Sequence, residues 1–295
     1  VMNQLSAGLS IVPKMDENQF LSWQSLLEER TGMCVAPERR TFLQSNLNVR
    51  MRELGYQNMQ DYYQHVTTGT TGAIEWNTLV DRLTVQETRF FRDLDALAFV
   101  EQYVQDFAEQ HNENDTFEFW SVGCSTGEEA YTFAMIGKRY LAPKNIRYSV
   151  TATDISTYAL RKARKGVYPT KALRFIPESY QQDNVSLDAS NKTIQVSEQL
   201  RDRCCFSQVN ILNLASYPLR SLQVIYCQNV LIYFRRWRRR EILNNLAERL
   251  APGGILVIGL GEMVDYQNPL LEPIRVNNIT AFMRKKSKHI EEGRG

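Results

Sequence analysis

The stretch WSVGCSTGEEA, residues 120–130, decides how the second half of this chain is interpreted. A strand pattern runs into a turn bounded by Gly123 and Gly127, and a helix pattern follows. The turn has the G-x-S-x-G spacing of a hydrolase nucleophile elbow, with Ser125 as the nucleophile. A glycine-bounded turn between a strand and a helix is also where nucleotide cofactors bind. The surrounding sequence has to distinguish an esterase from a cofactor site.

The histidines of the chain disfavour the esterase. A hydrolase of the elbow type needs an acid and then a histidine downstream of the serine. Of the three histidines only His289 follows Ser125, and it lies in a charged C-terminal tail. No triad can be assembled in the required order.

The acidic start of the following helix disfavours a phosphate-bearing cofactor. Serine at 125 and glutamate at 128 break the dinucleotide fingerprint, and a glutamate repels the phosphates that a helix N-terminus attracts. S-adenosylmethionine fits better, because it has a ribose diol and positive charge but no phosphate. Asp154, at the end of the next predicted strand, can accept both ribose hydroxyls. From the residues alone an alternative stays open: Glu128 and Glu129 favour the helix dipole, and Asp154 caps a helix.

Beyond residue 115 predicted strands alternate with predicted helices. We predict strands at FEFWSV, IRYSVTATDI, LQVIYC and GILVIGL. This order indicates a mostly parallel sheet covered on both faces. The segment IRVNNITAFMRKK alternates like a final antiparallel strand. Residues 166–209 break the pattern, and we expect an insertion with a short antiparallel hairpin.

The first part of the chain, residues 15–82, has helical patterns only. One helix is predicted in QFLSWQSLLEERTG, before Gly32, and a second from Pro37 to Gly55. The prediction is therefore an α/β protein with a small all-helical N-terminal domain. The predicted division is residues 15–82 for the helical domain, 83–286 for the sheet domain and 287–295 for a disordered tail.

Composition restricts the classes of partner. With 35 basic and 33 acidic residues the net charge is +2, which is too balanced to indicate nucleic-acid binding. No apolar run approaches the about 20 residues of a membrane span. Five cysteines without a C-x-x-C pair indicate neither a disulfide framework nor a metal site. We therefore expect a cytoplasmic protein with reduced thiols, no metal, no nucleic-acid partner and no membrane insertion.

Several motifs, in this order and at these spacings, resemble the CheR family, the chemotaxis-receptor glutamate methyltransferases. They are LTVQETRFFRD, WSVGCSTGEEAYTFAM, TATDIS, QVNILN and CQNVLIYF, and the similarity runs from about residue 15 to residue 284. The resemblance implies a helical N-terminal domain and a Rossmann-like methyltransferase domain with an inserted β-subdomain, placed at 166–209. It also implies methyl transfer from S-adenosylmethionine to glutamates on the cytoplasmic helical bundle of chemoreceptors. The products are glutamate methyl esters and S-adenosylhomocysteine.

The resemblance also implies residue roles, carried over position by position. Cofactor contacts are expected at Gln86, Thr88, Arg92, Glu129, Asp154, Asn210, Ile211, Gln228 and Asn229. Arg92 and Tyr233 are expected beside the methyl group as catalytic residues. Gln86 stands where asparagine is usual, and Gln228 where arginine is usual, so a positive charge is lost at position 228. No general base is required, because a glutamate with a pKa of about 4.3 is already an anion at neutral pH.

Substrate docking is expected on the N-terminal domain. Residues 39–52 contain Arg39, Arg40, Arg50 and Arg52 and no acid, which suits a glutamate-rich receptor helix. A solvated helix face is the alternative. We expect a monomer and leave open whether the insertion binds a C-terminal receptor pentapeptide. Two other functions also stay open: S-adenosylmethionine-dependent transfer to another substrate, and a non-catalytic S-adenosylmethionine-sensing module.

Overall fold

The computed structural model describes residues 14–218, 221–276 and 278–286. The chain divides into two compact units after Val85, three residues beyond the predicted boundary. The tail predicted to be disordered, residues 287–295, lies outside the described residues. Within the described ranges no helix is both long enough and apolar enough to cross a membrane.

The first unit is helical. Its helices are α1 Glu17–Thr31, α2 Arg40–Leu54, α3 Met59–Thr67 and α4 Gly69–Leu83, with a 3-10 turn Pro37–Arg39 before α2. Helix α1 begins with a capping box, in which Asp16 and Gln19 each accept the other's backbone amide. The core of the unit contains Trp23, Leu47 and Tyr62, all fully buried. These residues give the small unit its own hydrophobic core.

The second unit contains ten strands and five helices among its described residues. The strands are β1 Thr116–Val122, β2 Arg147–Asp154, β3 Val167–Pro169, β4 Val185–Asp188, β5 Thr193–Val196, β6 Cys204–Gln208, β7 Leu222–Cys227, β8 Leu250–Ile258, β9 Leu271–Ile274 and β10 Thr280–Arg284. The helices are α5 Leu94–Gln110, α6 Glu128–Tyr140, α7 Thr157–Lys165, α8 Glu198–Arg201 and α9 Arg236–Ala247.

Seven strands form the main sheet, in the order β6-β2-β1-β7-β8-β10-β9. The first five of these are parallel, and β10 is antiparallel to both neighbours. Phe119 and Trp120 of β1 pack into different hydrophobic clusters, as alternate residues of a strand covered on both faces do. Because β2 and β7 flank β1 on opposite sides, the chain changes direction beside β1. The loops after these three strands meet at that carboxyl edge, where α/β sheets bind their ligands.

The insertion forms a separate three-stranded antiparallel sheet in the order β3-β5-β4. Its last strand ends at Val196, and β6 pairs in parallel with β2 in the main sheet. The predicted end of the insertion at residue 209 was therefore wrong. The reason is that β6 is an edge strand of only five residues, of which one is buried, so that it gives little periodic signal.

Candidate active site

The turn after β1 is shaped by close approaches to two neighbouring segments. Gly123 has a φ of 74°, and a Cβ there would lie 2.4 Å from Cγ2 of Val230 in the loop after β7. Gly127 has a φ of 96°, and a Cβ would lie 2.7 Å from the Cβ of Ala163 in α7. Glycine is required at both positions by conformation and by space. The turn therefore lies directly against the loop after β7 and against α7.

Asp154 ties this turn to the segment after β2. Its Oδ2 accepts a hydrogen bond from the Ser125 amide at 2.8 Å, and its Oδ1 accepts one from the Ser156 amide at 2.8 Å. The Ser156 hydroxyl caps α7 by accepting from the Ala159 amide at 3.1 Å. The helix cap is thus Ser156, and Asp154 presents a partly buried carboxylate between the turn after β1 and the start of α7.

Glu129, in the first turn of α6, has no basic side chain within ion-pair distance among the residues that the structure describes. Its Oε1 accepts a hydrogen bond from the Ser121 hydroxyl at 2.6 Å. Burial raises the pKa of Glu129 to about 8, although the Ser121 hydroxyl and the charge of Arg92 act in the opposite direction. Burial also raises the pKa of Glu128, whose Oε2 accepts from the Thr126 hydroxyl at 2.6 Å. Two carboxyl groups therefore lie at the end of the helix where a phosphate would otherwise bind.

The segment from Gln86 to Asp93 crosses the same edge of the sheet. Nε2 of Gln86 donates to the Ser156 hydroxyl at 3.3 Å, and Arg92 donates to the Glu87 carbonyl at 2.7 Å. Gln228, after β7, donates from Nε2 to Oδ2 of Asp93 at 3.0 Å. Gln228 therefore links the loop after β7 to this crossing segment through a hydrogen bond between a neutral amide and a carboxyl group. Asp93 was not among the predicted site residues.

The loop after β7 is held by a residue that the sequence did not reveal, Glu262. Its side chain is buried, and Oε2 accepts from the Gly259 amide at 2.8 Å. Burial raises the pKa of Glu262, and the amides of Gly259, Ile232 and Asn229 act against this. Asn229 is held in the left-handed conformation, with a φ of 59°. Glu262 lies in GLGEM, which carries no motif signal.

Arg239 of α9 holds the same loop on its other side. Its Nε donates to the carbonyl of Phe234 at 2.8 Å, and its Nη1 donates to the carbonyl of Glu262 at 2.7 Å. Tyr233 ends the 3-10 turn Leu231–Tyr233 and is partly buried against the core beside α9. The loop that carries Tyr233 is thus fixed to both α9 and the 259–262 turn.

The remaining predicted contacts follow β6 or lie in the crossing segment. Asn210 begins a 3-10 helix by accepting the Leu212 amide at 3.0 Å, and Ile211 follows it. The amide of the preceding Val209 donates to the Asp154 carbonyl at 3.0 Å, which brings this segment beside β2. Thr88 is partly buried between Gln86 and Arg92. Their contact with a cofactor stays a prediction.

These hydrogen-bond acceptors fit S-adenosylmethionine. Acidic oxygens suit hydroxyls and an ammonium group, and two carboxyl groups at the start of α6 disfavour a phosphate. The Ser125 hydroxyl is buried and has no hydrogen-bond partner among the described residues. Such an unsatisfied polar atom beside Asp154 is consistent with a polar ligand in this turn.

The four arginines predicted to dock substrate have different surroundings. Arg50 donates to both carboxylate oxygens of Glu75 and also to Glu53, and its side chain is only 13% exposed. Arg40 pairs with Glu17 at 2.6 Å and donates to the Met15 carbonyl at 2.6 Å. These two arginines therefore have acidic partners within the unit, which the sequence pattern did not indicate, and their part in docking stays a prediction. The acidic partners Glu17, Glu53 and Glu75 all lie outside the acid-free stretch of residues 39–52.

Arg39 and Arg52 differ from the other two. The Arg39 guanidinium lies 4.9 Å from the ring centre of Phe42, and Arg52 is exposed and donates to the Asn48 carbonyl at 3.3 Å. Neither has a carboxylate within ion-pair distance among the described residues.

Comparison with known protein families shows to which family the chain belongs. The family described as "CheR methyltransferase, SAM binding domain" matches residues 86–280, and "CheR methyltransferase, all-alpha domain" matches residues 18–84. The chain belongs to the CheR methyltransferase family. The two matches correspond to the two units of the structure.

Curated relatives are similar over nearly their whole length. "Chemotaxis protein methyltransferase 2" of Vibrio cholerae is 27% identical over 95% of this chain and 97% of its own. "Chemotaxis protein methyltransferase 1" of Pseudomonas aeruginosa is 30% identical over 83% of this chain and 90% of its own. A solved RNA methyltransferase from Salinibacter ruber, in complex with S-adenosyl-L-homocysteine, is 14% identical with a TM-score of 0.35, covering 66% of this chain and 94% of that one. This member of the CheR family is an S-adenosylmethionine-dependent methyltransferase of chemotaxis.

Proposed function

We propose that this CheR-family protein methylates glutamate side chains on the cytoplasmic helical bundle of chemoreceptors, forming glutamate methyl esters. The identity of the predicted site residues supports the proposal: Arg92 and Tyr233 are the ones expected beside the methyl group, and none of the predicted residues is a histidine. A hydroxyl or amine acceptor usually needs a general base. A glutamate does not, because it is already ionised at neutral pH.

The chain's own residues would hold the cofactor by their acceptor oxygens. We propose that Asp154 accepts the ribose hydroxyls and that Glu129 takes the ammonium group, whose charge would favour the ionised carboxylate. Gln86, Asn210 and Ile211 lie at the same carboxyl edge of the sheet, on the side of β2 and β6. When bound, S-adenosylmethionine supplies a methyl group on a sulfonium, which a carboxylate can attack without acid catalysis.

Arg92 and Tyr233 would orient the substrate carboxylate. A guanidinium has five N–H donors, and the Glu87 carbonyl takes one of those on Arg92, so a fork remains for a carboxylate. The Tyr233 hydroxyl can donate a further hydrogen bond. The carboxylate loses its charge when the ester forms, so its attraction to Arg92 falls and product release is favoured. Alignment and exclusion of water are the main tasks of such a site.

For receptor docking on the helical unit we retain Arg39 and Arg52. Both lack an ion-pair partner among the described residues, as a surface that receives glutamates requires. Arg40 and Arg50 would contribute indirectly, by holding α2 in place through Glu17 and Glu75.

The test is transfer of a labelled methyl group to a soluble cytoplasmic receptor fragment, followed by treatment with base. Carboxyl methyl esters release methanol in base, whereas N-methyl groups do not. We expect a base-labile product, and we expect Tyr233→Phe to lower turnover by more than it changes the KM for the fragment. A base-stable product would contradict transfer to glutamate. Cofactor binding with no product on any receptor fragment would favour the sensing module.

A further inference from the structure

Exposed apolar side chains gather around the loop that carries Tyr233. Ile232 is 51% exposed, Trp237 55%, Leu260 66% and Val264 62%. Single exposed apolar residues are ordinary, but several in one place indicate an interaction surface.

Two contacts show that these side chains belong to one surface. Ile232 and Trp237 lie on one segment, and Leu260 and Val264 on another. Arg239 of the first segment donates to the Glu262 carbonyl of the second at 2.7 Å. Arg236 pairs with Asp265 at 3.7 Å. The two segments therefore run side by side, and the buried Glu262 lies between Leu260 and Val264 on the second of them.

The same surface carries a dense positive charge. The sequence from 234 to 241 is FRRWRRRE, and Arg235, Arg236 and Arg240 are exposed. The first turn of α9 contains no acid, although the N-terminal end of a helix favours acidic and disfavours basic side chains. These arginines therefore oppose the helix dipole. We name Ile232, Trp237, Leu260 and Val264, together with Arg235, Arg236 and Arg240, the tryptophan–arginine rim.

Trp237 is the centre of this rim. The Arg238 guanidinium lies 4.2 Å from its ring centre, and Arg238 pairs with Glu241 at 2.6 Å, which restrains the indole. Arg240, three residues later on the helix, is its neighbour on the helix surface. A restrained tryptophan among arginines has the composition of the residues that contribute most to protein–protein affinity.

We propose that the tryptophan–arginine rim binds the receptor helix on either side of the glutamate to be methylated. The inference rests on the proposed function, because the rim adjoins Tyr233 and a polypeptide that presents a glutamate there must pass over it. The fitting partner is an amphipathic helix with further glutamates for the arginines and apolar side chains for Trp237 and Val264.

A surface of anionic lipid would also match tryptophan and arginine. A membrane lying on this rim would, however, cover Tyr233 and keep the substrate away from it. The position of the rim therefore favours the protein partner, and the membrane becomes one outcome of the test.

The test compares two rim variants with a matched control. The variants are Trp237→Ala and the double change Arg236→Glu with Arg240→Glu. The control is Arg147→Glu, an exposed arginine at the start of β2, on the opposite edge of the sheet. For each protein we would measure the dissociation constant for a soluble receptor fragment without cofactor, the kinetic constants for methylation and the affinity for S-adenosylhomocysteine.

We expect both rim variants to bind the fragment about tenfold or more weakly, with a raised KM and a nearly unchanged kcat. The effect of the arginine variant should shrink as salt is added. S-adenosylhomocysteine affinity should be unchanged in all variants, and the control should resemble the parent.

Unchanged fragment affinity in both rim variants would overturn the inference and leave the proposed function intact. A parent protein that gives no base-labile product would instead overturn the proposed function, while fragment binding would still test the rim. Binding of each protein to vesicles of phosphatidylglycerol and phosphatidylcholine would be measured as the remaining part of the test. Loss of vesicle binding with normal fragment binding would identify the rim as a membrane surface and overturn the inference.

Discussion

Two carboxyl groups, one in each unit, differ in the groups that bind their oxygens. Glu75 in the helical unit is 6% exposed and accepts from two guanidinium nitrogens of Arg50 and from the Tyr62 hydroxyl at 2.7 Å. Glu129 in the methyltransferase unit has a serine hydroxyl at 2.6 Å, and burial raises its pKa to about 8. A carboxylate that already has its cation stabilises a fold. One without a paired cation is suited to receive a cation from a ligand.

The largest expected effect tests the first half of this comparison. Arg50→Ala would leave the Glu75 carboxyl buried without its cation, and removing one partner of a buried pair costs about 3–5 kcal/mol. We expect the helical unit to unfold at a clearly lower urea concentration. The exposed Arg52→Ala is the matched control and should change stability by no more than about 0.5 kcal/mol. Equal stability of the two variants would show that the Arg50–Glu75 pair does not stabilise the unit.

The second prediction concerns Asp154, the acid at the carboxyl end of β2. Asp154→Ala should weaken binding of S-adenosylhomocysteine about ten- to a hundredfold, since a hydrogen-bonded carboxylate contributes about 1.5–3 kcal/mol. Asp188→Ala is the control, because the Asp188 carboxylate bonds only to the neighbouring residues Ser190 and Asn191 among the described contacts. Calorimetry measures both. Unchanged affinity in Asp154→Ala would mean that Asp154 only supports the turn.

The same comparison explains how far sequence reasoning could reach. The carboxyl edge of the sheet was predictable, because strands such as FEFWSV and LQVIYC have clear apolar runs and the ends of parallel strands meet at one edge. The inward pairing of Arg50 was not predictable from residues 39–52, because Glu75 lies on another helix. A charged side chain whose partner lies on another helix leaves no pattern in the sequence around it.

Other misses have local causes. Helix α5 was not predicted, although its buried Ala96, Val100, Val104 and Ala108 follow one another at intervals of four residues. Strand β9, with the sequence LEPI, was missed because it is four residues long and contains a proline. Glu262 was missed because a buried glutamate that binds backbone amides has no motif of its own.

The third prediction tests the role of Glu129 through the pH dependence of cofactor affinity. Below about pH 8 the ligand-free Glu129 carboxyl is mainly protonated, whereas a bound ammonium group would favour its ionised form. The complex would then hold fewer protons than the free protein, so binding releases a proton and affinity rises with pH. The slope is at most about tenfold per pH unit.

Calorimetry with S-adenosylhomocysteine between about pH 6 and 7 would measure that slope. Glu129→Gln cannot ionise, and its affinity should be weaker at the upper end of the range and nearly independent of pH. If the parent and Glu129→Gln had equal slopes, another group would be titrating and Glu129 would not be the acceptor of the ammonium group.

The smallest expected effect concerns Ser125, the residue that made an esterase conceivable. A nucleophilic serine needs a base within hydrogen-bond reach. His111 follows α5, before β1 begins, and so lies at the amino edge of the sheet, with its Nδ1 2.9 Å from the Phe107 carbonyl oxygen. His289 lies outside the described residues. The Ser125 amide holds Asp154 at 2.8 Å, and an alanine retains that amide.

Ser125→Ala should therefore leave a working transferase, with turnover within about twofold of the parent, because the buried hydroxyl has no hydrogen-bond partner to lose among the residues that the structure describes. A modest loss of S-adenosylhomocysteine affinity with normal turnover would assign the hydroxyl to the cofactor. Turnover abolished in a folded, cofactor-binding variant would contradict the prediction and return a nucleophilic role to Ser125. The matching control is the parent protein with p-nitrophenyl esters, which it should not hydrolyse, since methyl transfer to a carboxylate needs no nucleophile from the protein.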